Sequence, residues 1–168
     1  MASIQSASIL LLQKELLKEV VSLLSEMKFK TADGETKTGV TGYEQRLPQV
    51  TEDDEDTSKF FPYAIVRATG WNTKDDEDPW HVTIQVYLGI YDDAAESHGH
   101  EGLINMIEKI CNRFVHEPLL AHNYRAEQNI DAELQEDDTY PYYFGGIQFT
   151  FTAPKIARKI EFDESKYT

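Results

Sequence analysis

Trp80-His81-Val82-Thr83-Ile84-Gln85-Val86-Tyr87-Leu88-Gly89-Ile90-Tyr91 decides the fold. Trp80, Val82, Ile84, Val86, Leu88 and Ile90 take every second position. Successive strand side chains point to opposite faces, so the pattern predicts one long strand with one apolar face. Working outward, residues 60–70 (Phe60-Phe61-Pro62-Tyr63-Ala64-Ile65-Val66-Arg67-Ala68-Thr69-Gly70) read as a second strand. Pro62 cannot donate to a ladder and marks its start. The polar connector between the two ends in Asp75-Asp76-Glu77-Asp78-Pro79, which predicts a hairpin with a negative tip.

Two amphipathic helices flank this hairpin. Residues 6–28 place Ile9, Leu12, Leu16, Val20, Leu23 and Met27 at spacings of three and four, with Lys14, Glu15, Lys18 and Glu19 opposite. Residues 101–115 repeat the pattern with Leu103, Ile107, Ile110 and Phe114, and Pro118 follows as a stop. The last third reads as a second pair of strands. Residues 126–136 alternate weakly, and residues 146–154 alternate clearly through Ile147, Phe149 and Phe151. The expectation is a single α+β domain over 1–168, in the order α-β-β-α-β-β. It has an antiparallel sheet of about four strands with both helices packed on one face. Residues 29–59 lose all periodicity and read as a mobile insertion, with a hairpin arm as one option near Thr38 and Tyr43. Residues 155–168 read as a flexible tail.

Composition narrows the function classes. The chain of 168 residues carries 30 acidic and 16 basic side chains, a formal net charge of −14. Phosphate binding needs Lys and Arg to displace counterions, so sequence-specific nucleic-acid binding is not expected. Docking on an anionic membrane is disfavoured for the same reason. One cysteine, Cys111, excludes an intrachain disulfide and a cysteine-based zinc site. Ile9-Leu10-Leu11-Leu12 is too short to span a bilayer, and the N-terminus carries no basic region with a cleavage site.

No catalytic constellation emerges. His98-Gly99-His100-Glu101 is the most metal-like cluster, but helical zinc ligands stand four apart and these stand two apart across a glycine. Turn and capping chemistry explains them more simply. There is no G-x-S-x-G, no P-loop and no G-x-G-x-x-G. The reading is therefore not an enzyme and carries no cofactor or metal. Tyr140-Pro141-Tyr142-Tyr143-Phe144-Gly145-Gly146 is the densest aromatic group. Its rings suit a protein interface, or else they cap the open end of the core.

Order and pattern together resemble the tail-completion or tail-terminator (head–tail joining) proteins of long-tailed bacteriophages and prophages. The resemblance rests on the long opening helix before Phe61-Pro62-Tyr63-Ala64-Ile65-Val66 and on the long strand ending in Tyr91-Asp92-Asp93. It rests also on the helix from Leu103 to Phe114, and on Tyr140-Pro141-Tyr142-Tyr143-Phe144-Gly145 before a terminal strand. It spans residues 60–154; residues 29–59 and the tip at 75–78 have no counterpart in it. The resemblance implies an α+β subunit without catalytic residues that assembles as a homo-oligomeric ring, commonly of about six copies. Such a ring caps the tail tube, meets the head–tail connector proteins, and lies in the virion tail or neck after assembly in the host bacterial cytoplasm. In such a ring Asp75, Asp76, Glu77 and Asp78 would line a lumen and repel passing DNA, while Tyr140, Tyr142, Tyr143 and Phe144 would supply interface area. The competing expectations are another neck or head-completion protein, and an acidic protein-binding module that mimics nucleic acid.

Overall fold

In the computed structural model, which describes residues 8–50, 56–94 and 98–159, one eight-stranded sheet carries two helices. The elements in chain order are α1 (Ile9–Leu23), β1 (Lys28–Lys30), β2 (Thr36–Thr38), β3 (Thr41–Glu44), β4 (Tyr63–Asn72) and β5 (Trp80–Tyr91). They continue with α2 (Gly99–His116), β6 (Leu119–Leu120), β7 (Tyr124–Leu134) and β8 (Tyr142–Ala153). The expectation of about four strands in the order α-β-β-α-β-β is therefore overturned. Four short strands, β1, β2, β3 and β6, join the long ones, and β3 runs parallel to β4. Strands of two to four residues offer too few positions to display a period of two, so pairing to longer neighbours holds them rather than their own pattern.

Residues 29–44, within the stretch 29–59 read from sequence as a mobile insertion, are instead built into the sheet. β1 and β2 form a hairpin around Asp33-Gly34, and Lys30 pairs with Tyr91 of β5. β3 lies along β4 from Thr41 against Tyr63 to Glu44 against Val66. α1 ends at Leu23, short of the predicted Lys28, because Phe29 turns into the core as a strand residue. Its start is fixed by Ser8, whose Oγ accepts the Leu11 N–H at 3.1 Å.

β5 is the central strand. It pairs with β4 on one side and with β8 along its whole length on the other, from Trp80 against Ala153 to Tyr91 against Tyr142. Val82, Ile84, Val86, Leu88 and Ile90 share one face and are fully or nearly buried. Phe149, Phe151 and Ile147 of β8 extend that face. Leu12, Leu16, Val20 and Leu24 at α1 and Leu103, Met106, Ile110 and Phe114 of α2 close over it to form one core. Arg113 ties the helices together through a 2.9 Å ion pair to Glu19. Both α-helices lie on this face; among the described residues the other face carries no α-helix, and only Phe60, from a single 3-10 turn (Ser58–Phe60), packs at its aromatic end.

β8 begins at Tyr142, four residues before the alternating stretch read from sequence. The aromatic run is thus part of the strand, and alternation splits it. Tyr143 sits opposite Ile90 and packs into the helix-side core, whereas Tyr142 and Phe144 point to the helix-free face.

Candidate functional site

The helix-free face is a surface that the core does not explain. Strand register orders it in rows. Asp131, Gln148, Gln85 and Arg67 stand side by side across β7, β8, β5 and β4. The next row holds Glu133, Gly146, Tyr87, Ile65 and Tyr43, and the one after it holds Phe144, Gly89 and Tyr63. Gln85 donates to Gln148 at 3.0 Å and accepts from the Tyr87 hydroxyl. These paired amides are fixed by each other and by the pleat.

One end of the face is aromatic. Phe61 packs at 4.9 Å from Tyr63, 4.7 Å from Tyr142 and 5.7 Å from Phe144, centroid to centroid. Tyr91 joins at 5.5 Å from Tyr142. The ring of Tyr63 lies directly over Gly89, where an added Cβ would come within 2.5 Å of it; that close approach admits only glycine. Burial pushes the Tyr63 phenol up to about 12, so it stays neutral at any physiological pH.

Tyr87 stands at the middle of the face, partly exposed, and separates two open concavities. One, of about 580 Å³, is bounded by Arg46, Leu47, Tyr63, Ile65, Arg67 and Phe144. The other, of about 440 Å³, is bounded by Gln85, Asp131, Glu133 and Gln148. Neither is an enclosed cleft with convergent polar groups of the kind that binds small substrates.

The residues singled out from sequence fall at three places. Asp75 and Asp78 organise the β4–β5 tip. Asp75 accepts the backbone N–H groups of Glu77 and Asp78, and Asp78 accepts that of Lys74 at 2.9 Å. The tip also binds the chain's own C-terminal region: Asp76 pairs with Arg158 at 2.8 Å, and Lys155 donates to Thr73 at 2.7 Å and to the Asp75 carbonyl. Part of its negative charge is thus answered within the subunit. Glu77 is exposed. Tyr140 donates to the Asp93 carbonyl at 2.6 Å and lies outside the row of rings on the sheet. Tyr142 and Phe144 belong to the helix-free face, and Tyr143 does not.

His98 and His100 flank the start of α2, where His98 Nδ1 lies 3.4 Å from Glu101. Among the described residues, no three His, Cys, Asp or Glu side chains cluster as a metal centre would need. Cys111 is partly buried, and desolvation pushes its thiol up.

Sequence reading missed His81. Its Nε2 lies 2.9 Å from Asp78 Oδ1, and its Nδ1 lies 3.2 Å from Glu127, so both ring nitrogens face carboxylates. Both must donate, which the imidazolium alone can do. The hydrogen bond His81 donates to Asp78, then the one it donates to Glu127, raises its pKa above 6.5. The His81 bond in turn lowers Asp78 below 3.8. The raised histidine contributes stability in full below pH 6.5 and loses it as pH rises through the folded value; Asp78 loses its share as pH falls below 3.8. The clamp is thus strongest between those limits. Thermal melts at pH 5.5 and 8.5 should show a larger drop toward pH 8.5 for the native chain than for His81→Gln, and equal drops would refute the clamp.

The signal for the helix-free face was present in the polar alternates of β5, namely His81, Thr83, Gln85 and Tyr87. Its β7 portion was hidden. Glu127, Gln128 and Asn129 bulge between Ala126, which pairs with Phe151, and Ile130, which pairs with Phe149. The bulge adds two residues and so keeps the parity of Asp131 and Glu133, but only the pairing to β8 sets them beside Gln148 and Gly146. The sequence matches no protein-family model, and no curated protein matches it.

Proposed function

We propose that this chain is a structural subunit of a phage or prophage tail, a ring-forming tail terminator or head–tail connector that caps the tail tube. The observation that carries the reading is the helix-free sheet face. It presents Tyr87, Tyr142 and Phe144 beside paired glutamines, with open concavities rather than a reaction cleft. Aromatic rings with polar tips bury area at small entropic cost, as recurrent protein contacts require. The order of elements supports the same reading through its resemblance to tail-completion proteins. In a ring, the acidic tip at Asp75, Asp76, Glu77 and Asp78 would face passing DNA and repel its phosphates.

Light scattering across a range of concentrations, with negative-stain images of the same fractions, tests this directly. Closed rings of about six subunits, alone or on isolated tail tubes, are the expected result. A chain that remains monomeric and binds no tube sinks the reading. The net charge of −14 favours a second reading, an acidic module that mimics nucleic acid. That reading predicts capture of a basic partner protein with an affinity that collapses with salt.

A further inference from the structure

The helix-free face is polarised from flank to flank. Arg46 and Arg67 lie on the β3–β4 side, Asp131 and Glu133 on the β7 side. Three strand spacings separate the two flanks, about 14 Å. Arg46, Arg67 and Glu133 make no ion pair with the described residues, and Asp131 has only a long 3.4 Å contact from Asn129. Uncompensated arginines are notable in a chain with nearly twice as many acidic as basic side chains.

We infer that these flanks are the two halves of one head-to-tail contact: the arginine flank of each copy receives the Asp131–Glu133 flank of the next. The occupant is a second copy of this chain, and the inference rests on the ring reading above. A contact between two different surfaces repeats from copy to copy and closes when the rotation allows. One molecule's arginine flank cannot meet its own acidic flank, because β5 and β8 lie between them.

Beyond the end of β3, the stretch of β4 next to Arg67 is closed to strand pairing, so the contact there is made by side chains. There the Ala68 N–H is taken by Gln13 at 2.9 Å, and the Ala68 carbonyl faces the Gln45 amide at 3.4 Å. On the other flank the β7 bulge and its carboxylates likewise discourage a ladder. Copies joined this way keep their helix-free faces on one side, so that Tyr87 and its neighbours form a continuous band.

Charge exchange in the full-length chain tests the contact. Two variants are made, Arg46→Glu with Arg67→Glu, and Asp131→Lys with Glu133→Lys. Each places like charges across every contact and is expected to lower ring formation at least tenfold, by scattered mass at low salt. Mixing the two variants places opposite charges across both kinds of contact and should restore rings. The fourfold variant, whose net charge is unchanged, should restore them as well. Circular dichroism confirms that each variant is folded, since all four positions lie on the surface. Rings that persist in both variants overturn the flank assignment and leave the ring reading intact, and so does loss without recovery in the mixture and the fourfold chain. A native chain that forms no ring alone or on tail tubes overturns both.

Discussion

Phe149→Ala is expected to lower the unfolding free energy by about 3–5 kcal/mol, the largest effect of any single change considered for this chain. Phe149 is fully buried at the centre of β8, opposite Ile84 of β5 and Ile130 of β7. Its ring meets Phe114 of α2 edge-on at 5.2 Å, and Phe151 lies 5.7 Å away. Truncation removes the apolar transfer energy of the ring and leaves a cavity beneath α2 that the rigid β5–β8 ladder cannot collapse. At this chain length the loss corresponds to a fall in melting temperature of roughly 10 °C. Thermal and urea unfolding monitored by circular dichroism would check it. A loss near the cost of a surface change, below about 0.5 kcal/mol, would mean that α2 does not seat on β8 as described.

How much of this was legible follows from element length. β5, with unbroken alternation over its whole span, could be read to the residue, and the buried stripes of both helices followed from their spacing. The sheet itself was undercounted for three physical reasons. β1, β2, β3 and β6 are too short to carry a period, and β3 is held by a parallel neighbour that no local signal announces. Gly42, which reads as loop punctuation, instead lets α1 sit down on β3: an added Cβ would lie 2.7 Å from Leu17 and Val21. A glycine needed for close approach looks the same in sequence as one needed for a turn.

The site was legible only in part. The aromatic run near residue 142 was visible, but counting its rings as one group ignored the strand alternation that sends Tyr143 into the core and its neighbours to the open face. Asp131 and Glu133 of β7, Arg67 of β4 and Arg46 beyond β3 come from three segments, and only the register of β4, β5, β8 and β7 brings them together. The tip carboxylates were read as a negative hairpin tip facing outward, yet Asp75 and Asp78 build the turn and Asp76 holds Arg158. Short carboxylates in turns prefer nearby backbone N–H groups over open solvent, which a charge count does not reveal.

Gln13→Leu should destabilise the chain by about 1–3 kcal/mol although it exchanges a polar buried side chain for an apolar one of similar size. Gln13 is the one polar residue buried in the core among the described residues, 4% exposed on an otherwise apolar helix face. Its Oε1 accepts the Ala68 N–H at 2.9 Å and the Gln45 amide at 2.5 Å. Leucine would leave the Ala68 N–H buried without a partner, and that desolvation outweighs the gain from added apolar burial. Removing the donor from the other side is milder. Gln45→Ala leaves Gln13 bonded to Ala68, and Gln45 is exposed, so the expected loss is below about 1 kcal/mol. The two variants therefore separate a strand-edge cap from generic packing. Gln13→Leu should also open the β4 edge to pairing with other chains, seen as concentration-dependent aggregation during melting. Equal stability of Gln13→Leu and the native chain, with no change in aggregation, would show that the Ala68 edge needs no cap. The side-chain contact inferred between ring neighbours would then lose its reason for avoiding a ladder.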